Sequence, residues 1–92
     1  MTEADHYELR VTGPAERQLA RLPNKVAAAV VEFLVGALLE NPYRLGGVLH
    51  RELEGFRSAR RGAYRIIYEI DEDIGAVIVH RIDHRSDVYR PR

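Results

Sequence analysis

The chain has 92 residues, no cysteine, and 14 basic residues against 14 acidic ones. A chain of this length can bury one core but not two, so we expect a single domain over residues 1–92. No apolar run approaches the roughly 18 residues of a membrane-spanning helix, and the first residues are acidic rather than those of a signal peptide. The lack of cysteine excludes disulfides and thiolate metal sites. The composition predicts a cytoplasmic globular protein without membrane contact.

Positive charge is concentrated in two segments despite the neutral total. Residues 1–40 carry four basic and six acidic side chains, residues 41–65 carry six and two, and residues 81–92 carry four and two, so the balances are −2, +4 and +2. Thirteen of the 14 basic residues are arginine, whose planar guanidinium binds phosphate oxygens in pairs. We therefore expect an anionic ligand.

The first predicted elements are a strand and a short helix. Residues 7–12 alternate large apolar with charged side chains, as a half-buried strand does. Gly13 ends this strand, and Pro14 suits the first turn of a helix that we expect over residues 14–22. Glu16 then lies near the positive end of that helix.

A second helix follows the break at Pro23 and Asn24. Its apolar residues recur at three- and four-residue steps over about four turns, and they are Val26, Val30, Phe33, Leu34, Ala37 and Leu38. Because the connection between the helices is so short, we expect an antiparallel helix hairpin that packs on one face of a sheet.

Three strands complete the predicted fold. Residues 43–55 form a glycine-containing connection, residues 56–61 and 64–70 are strands, and an acidic turn at 71–75 leads to a strand at 76–82. The order indicates an α+β domain: an N-terminal strand, an antiparallel helix hairpin, then a three-stranded antiparallel meander in one small twisted sheet.

The segment from Phe56 to Ile70 places arginines at regular intervals along these strands. Alternation of side chains along a strand puts Arg57, Arg61 and Arg65 on one face. The residues expected to face the core from the other side are Tyr64, Ile66, Tyr68 and Ile70. We expect the arginine face to bind the anionic ligand.

Two motifs carry a family resemblance that extends from Tyr7 to Tyr89. They are the Gly-x-Tyr-Arg-x-x-Tyr unit at 62–68 and the Arg-x-x-x-Tyr unit at 85–89. Their order around a hairpin resembles the RelE/ParE superfamily of bacterial toxins, in its RelE-like branch.

The resemblance implies the toxin of a type II toxin-antitoxin system, a ribosome-dependent mRNA endonuclease that uses no metal or other cofactor. It implies cleavage of A-site mRNA on the ribosome, inhibition by a cognate antitoxin, and contact with DNA only through the antitoxin complex. Two alternatives stay open. One is a ParE-like, non-catalytic inhibitor of DNA gyrase, and the other is a weakened toxin that acts in antitoxin binding and operon autoregulation.

The resemblance also assigns site residues. Arg65 matches the central-strand arginine that stabilises the transition state, Tyr89 matches the C-terminal tyrosine near the reaction centre, and Arg85 fits a phosphate contact. The arginines expected to line the RNA path are Arg57, Arg60 and Arg61; for each of them a solvated or antitoxin-facing position is the alternative. The structural alternatives are an ion pair of Arg65 with Glu69, a core position for Tyr89, and an ion pair of Arg85 with Asp83 or Asp87.

The chain departs from the family pattern where a base is needed. Residues 56–59 contain no lysine, and arginine is too basic to accept a proton. Asp83 stands about where a second family arginine is expected. His84 is the local candidate for a general base or acid; an exposed, hydrogen-bonded histidine is the alternative. His80 is expected on the same strand face as His84, about 13 Å away, too far to share a metal.

Overall fold

The computed structural model describes residues 7–48 and 55–84. They form one α+β unit whose sheet has five strands in the order β1-β5-β4-β3-β2. The strands are β1 (Glu8–Val11), β2 (Gly47–Val48), β3 (Arg57–Arg61), β4 (Tyr64–Asp71) and β5 (Ala76–His84). The helices are α1 (Gly13–Ala20), α2 (Asn24–Phe33), which continues as a π-helical turn at Leu34–Leu38, and α3 (Pro42–Leu45).

The sheet is mixed because the first strand lies beside the last. β1 runs parallel to β5, with Leu9 opposite Val77, whereas β3, β4 and β5 form an antiparallel meander. The predicted α+β class, with its N-terminal strand, helix hairpin and meander, is confirmed. The two-residue strand β2, paired antiparallel with β3, and the short helix α3 were not predicted.

The helix hairpin begins at a side-chain cap. Thr12 Oγ1 accepts a hydrogen bond from the Ala15 amide at 3.4 Å, and Pro14 occupies the first turn, where no amide donor is needed. α2 begins at Asn24, directly after Pro23, and together with the π-helical turn it covers the predicted second helix. Both predicted helices are therefore confirmed.

The core lies between the hairpin and one face of the sheet, here called the covered face. Its largest fully buried side chains come from the second helix, from β4 and from β5: Tyr68, Leu34, Leu38, Ile66, Val30, Val77 and Val79. The prediction that Ile66 and Tyr68 face the core is confirmed, since both are 0% exposed. Tyr64 and Ile70 pack against this core at its edges. Burial in this core raises the pKa of Tyr68.

A β-bulge interrupts the pairing of β4 with β5. Ile67 lies opposite Arg81 and Tyr68 lies opposite Val79, so His80 is an extra residue on β5. Thr12 holds this bulge, since its amide donates to the Val79 carbonyl at 3.0 Å and its hydroxyl to the His80 carbonyl at 3.3 Å. Beyond the bulge, every side chain of β5 lies on the face opposite to the one that simple alternation predicts.

The segment before β2 is anchored to the sheet through backbone carbonyls. The buried Tyr68 hydroxyl donates to the Pro42 carbonyl. Arg57 Nη2 donates to the carbonyls of Tyr43, at 2.8 Å, and Gly46, at 2.9 Å. Gly46 is required here, because a Cβ atom would lie 2.2 Å from the Tyr68 hydroxyl. Residues 42–46 are thus closely packed against the covered face.

Glu72, in the turn between β4 and β5, binds both this segment and Tyr7, the residue just before β1. Its Oε2 accepts a hydrogen bond from the Tyr7 hydroxyl at 2.7 Å and another from the Tyr43 hydroxyl. The Tyr43 and Tyr7 hydrogen bonds lower the pKa of Glu72. Conversely, the hydrogen bond to Glu72 raises the pKa of Tyr43 and raises that of Tyr7 from 10.0 to about 12.

No helix within the described ranges 7–48 and 55–84 is both long enough and apolar enough to cross a membrane.

Candidate functional site

The face of the sheet opposite the helices, here called the outer face, carries the arginine cluster. Arg60 on β3 lies directly opposite Arg65 on β4, and Arg65 lies opposite Asp83 on β5. Residues paired in register point to the same side of a sheet. Since Ile66, which follows Arg65, is fully buried on the covered face, Arg60 and Arg65 both lie on the outer face.

The prediction that Arg57 and Arg61 share the face of Arg65 is wrong. The turn between β3 and β4 has two residues, so Arg61 pairs with Tyr64 and Arg57 pairs with Tyr68. The chain reversal exchanges odd and even positions between the two strands, which places both arginines on the covered face.

Arg57 has a structural role on the covered face. Besides its two bonds to carbonyls, its guanidinium lies 5.3 Å from the centre of the Tyr43 ring. Arg61, in contrast, is exposed at the end of β3. It lines a cavity of about 340 Å³ between α2 and the β3–β4 turn, together with Lys25 and Tyr64.

The outer face holds a further arginine that was not predicted from the sequence. Arg81 lies opposite Ile67, one row along the sheet from the Arg60–Arg65 pair, and its side chain is 56% exposed. Its Nη2 lies 2.9 Å from Asp83 Oδ2. Without the bulge, Arg81 would lie on the covered face. The signal was the apolar series Val77, Val79, Ile82, whose last step is three residues rather than two.

Asp83 is buried, with 6% exposure, and each of its two carboxylate oxygens has a partner. Its Oδ1 accepts from Gln18 Nε2 at 3.0 Å, while Oδ2 binds Arg81. Gln18 Oε1 accepts from the Ile82 amide at 2.7 Å, so one side chain of α1 satisfies the backbone of β5 where β1 has ended. A buried carboxylate with defined partners therefore orients Arg81.

A histidine–carboxylate pair lies farther along the outer face. His80 Nε2 is 2.9 Å from Glu69 Oε1, and both side chains are partly exposed, by 32% and 38%. The Phe56 ring packs on the imidazole with a centroid distance of 4.8 Å. Glu69 is thus bound by His80.

His84, the last residue of β5, lies on the opposite face of the sheet from this pair. Its ring contacts Tyr64, edge to face, with centroids 5.2 Å apart, and Tyr64 is its partner in the strand register. The expectation that His80 and His84 share a face is wrong, because the bulge at His80 reverses the alternation after it. The catalytic role of His84 stays a prediction.

Two predicted site residues, Arg85 and Tyr89, lie outside the residues that the structure describes. Their roles stay predictions from the family resemblance.

A cavity of about 930 Å³ lies elsewhere. It runs along the helix hairpin and contains none of the predicted site residues; Val31 and Val35 line it and are 40% and 54% exposed. Its lining is mostly apolar, although Glu16, Lys25 and Glu32 also contribute to it. The outer face with its arginine cluster is therefore the better candidate site for an anionic ligand. Within residues 7–48 and 55–84, no three His, Asp or Glu side chains form a cluster that could hold a metal ion.

The chain matches known toxins over most of its length. Residues 9–89 match the family model described as the ParE toxin of the type II toxin-antitoxin system. Two relatives from Mycobacterium tuberculosis are similar: Toxin RelG is 50% identical, covering 91% of this chain and 97% of RelG, and Toxin RelE is 49% identical, covering 98% and 93%.

A solved structure agrees. The toxin-antitoxin complex RelBE2 from M. tuberculosis contains a chain that is 49% identical, with a TM-score of 0.83, covering 87% of this chain and 99% of that chain. The protein therefore belongs to the ParE toxin family of type II toxin-antitoxin systems, within the RelE-like toxin superfamily.

Proposed function

We propose that this toxin is an endoribonuclease that cuts mRNA in the ribosomal A site and binds the RNA on the outer face of its sheet. The observation that carries this proposal is the pairing of Arg60 with Arg65, with Arg81 in the next row. Three guanidinium groups on adjacent strands match a row of phosphates, and phosphate contacts dominate the affinity of proteins for RNA.

The central position suits Arg65 to the chemical step. It lies on β4, between Arg60 and the buried Asp83, and a fixed cation there would stabilise the charge that develops on the phosphate in the transition state. Arg85 and Tyr89, which follow β5 in the chain, are proposed to assist this step, with the tyrosine ring stacking on a base or its hydroxyl taking part in proton transfer.

Primer extension on a defined message in stalled ribosomes tests this function. The wild-type protein should give discrete A-site cuts. Arg65→Ala should lower the rate about 100-fold or more, the usual loss when a group that stabilises transition-state charge is removed. A correctly folded wild-type protein that leaves the message uncut would refute the proposal, and an unimpaired Arg65→Ala would refute the role of Arg65.

The cognate partner is proposed to be an antitoxin that neutralises the toxin. The RelBE2 chain, similar over nearly the whole domain, was solved in a toxin-antitoxin complex. An acidic segment that covers Arg60, Arg65 and Arg81 would compete with RNA for the same cations. Contact with DNA is then expected only through the antitoxin.

Gyrase inhibition is the second candidate, favoured by the ParE name of the matching family and by the absence of lysine at residues 56–59. Supercoiling assays with purified protein distinguish it. Inhibition of gyrase by a protein that leaves ribosome-bound mRNA intact would favour the ParE-like function.

A further inference from the structure

The outer face contains a proton acceptor close to its cations. Glu69 is a carboxylate, which only accepts hydrogen bonds, so the 2.9 Å contact makes His80 Nε2 the donor. The neutral imidazole then carries its lone pair on Nδ1. A histidine held by a carboxylate through one nitrogen, with the other available as a base, is the usual arrangement of a general-base histidine.

We propose that His80 is the general base of RNA cleavage and that Glu69 is its positioning residue. This inference rests on the proposed endoribonuclease function and supplies the proton acceptor that the arginines cannot provide. The residue predicted for that task from the sequence was His84, four residues further along the same strand.

The position of His80 is defined by its neighbours. Thr12 binds its carbonyl, Glu69 binds its Nε2, and Phe56 packs on its ring. Such support from three sides restrains the imidazole, as catalytic geometry requires. The bulge that makes His80 an extra residue is a feature common beside active sites, where it redirects a side chain.

His80 is close enough to the cations to act on the same phosphodiester. Arg81 follows it directly in sequence, and Arg65 is about two residues along the neighbouring strand from the bulge. Strand geometry makes that separation roughly 7 Å along the strands and about 4.8 Å across them. A bound phosphate can therefore contact Arg65 or Arg81 while the 2′-hydroxyl beside it reaches the imidazole.

The proposed step conserves all atoms and electron pairs. His80 Nδ1 takes the proton of the 2′-hydroxyl, and the 2′-oxygen forms a bond to phosphorus. The bond from phosphorus to the 5′-oxygen breaks, and this oxygen keeps the electron pair and takes a proton from solvent or from a second acidic side chain. The products are a 2′,3′-cyclic phosphate and a 5′-hydroxyl, and the imidazolium returns its proton to solvent.

The decisive experiment compares His80→Gln and His84→Gln in single-turnover cleavage on stalled ribosomes. Glutamine at position 80 can still donate to Glu69, which preserves the contact, but it cannot accept the proton. His80→Gln should therefore lower the cleavage rate about 100-fold or more. It should still bind a message with a 2′-O-methyl group at the scissile nucleotide as tightly as wild type does, because a base acts only in the chemical step.

Chemical rescue separates a base from a structural residue. His80→Ala should regain cleavage when free imidazole is added, since the removed ring is partly exposed and leaves space beside Phe56. The double variant Glu69→Gln with His80→Ala should be rescued less, because the carboxylate that holds the imidazole is gone. Glu32→Gln, an acid-to-amide change on the exposed side of α2, is the matched control and should leave both rate and binding unchanged.

The outcomes distinguish this inference from the proposed function. A wild-type protein that does not cleave ribosome-bound mRNA would overturn both. Cleavage by His80→Gln at the wild-type rate would overturn only the role of His80, and loss of activity in His84→Gln alone would transfer it to His84. Failure of imidazole to rescue a His80→Ala protein that still binds the 2′-O-methyl message would also refute the general-base role.

Discussion

Arg57 and Arg65 show how differently the two faces of the sheet use the same side chain. On the covered face, Arg57 Nη2 donates to two backbone carbonyls and the guanidinium packs on Tyr43. On the outer face, Arg65 lies in a row with Arg60 and beside Arg81, which is half exposed. The positions of arginines in the sequence therefore do not define the ligand site. Whether an arginine packs against the protein or is available to a ligand depends on the face of the sheet on which it lies.

The largest expected change in the free energy of unfolding comes from a substitution on the covered face. Ile66→Ala removes a fully buried side chain and should lower the free energy of unfolding by about 2–5 kcal/mol, from lost burial and the cavity left behind. Urea denaturation measures it. Arg65→Ala, one residue away on the other face, should change stability much less; equal losses from the two variants would contradict the assignment of faces.

Arg57→Ala should affect the stability of the fold, whereas Arg60→Ala should affect the binding of RNA. Arg57→Ala should lower the free energy of unfolding by about 1.5–3 kcal/mol, because two carbonyls lose a charged donor, and should leave RNA affinity unchanged. Arg60→Ala should leave stability unchanged but reduce the slope of log affinity against log salt for a short single-stranded RNA by about 0.7, the value for one lost phosphate contact. Identical salt slopes in all three proteins would refute an RNA role for Arg60.

Substitutions of Gln18 test the hydrogen bonds that hold Asp83, the partner of Arg81. Gln18→Ala removes the partners of the Ile82 amide and of Asp83, and the loss should be about 1–3 kcal/mol in the free energy of unfolding. Gln18→Glu keeps an acceptor for the Ile82 amide but places a second carboxylate beside Asp83. It should be less stable than wild type at neutral pH and should recover in acid; a pH-independent difference would argue against this network.

The smallest effect concerns Glu72, whose pKa is lowered in the folded protein by hydrogen bonds from Tyr43 and Tyr7. A depressed carboxyl pKa stabilises the fold above its unfolded value and ceases to do so as the pH falls through the folded value. The stability difference between wild type and Glu72→Gln should therefore be present at neutral pH, begin to shrink as the pH falls below the ordinary carboxyl value of 4.5, and vanish once the pH has passed below the lower pKa of the folded protein.

The raised pKa of Tyr7 acts in the opposite direction. Its hydroxyl stabilises the fold below its ordinary value of 10.0 and loses that contribution as the pH rises through about 12. Thermal unfolding of wild type and Tyr7→Phe across pH 9 to 12 should converge at the alkaline end. A constant difference would show that the contact with Glu72 does not depend on the phenolic proton.

Most of the fold could be predicted from local patterns. Alternation in residues 7–12 and 64–70 marked β1 and β4, and the three- and four-residue steps marked the second helix, because these periods follow directly from strand and helix geometry. The pairing of β1 with β5 was not accessible in this way, since parallel pairing joins residues distant in sequence. The short elements α3 and β2 depend on contacts with Arg57 and Tyr68 rather than on their own pattern.

The candidate site was predicted in part. Arg65 and Arg60 lie together on the outer face, as an anionic-ligand site requires, whereas Arg57 lies on the other side. Arg81 was not predicted, and His80 was dismissed as a member of a metal pair. The bulge at His80 changes the phase of β5, so strict alternation assigns Arg81 to the wrong face. His80 itself was considered only as a metal ligand together with His84, and their separation along the strand excluded that role.

By itself the sequence determined the longer helices and strands, the family motifs and the excess of arginine over lysine, because these depend on residue type and on spacing within one element. The tertiary structure alone decided which arginines share a surface. A two-residue turn exchanges odd and even positions between β3 and β4, and one extra residue does so again within β5. Side chains alternate with a period of two, so each such step exchanges which side chains lie on the core side of the sheet and which lie on the side where RNA is proposed to bind.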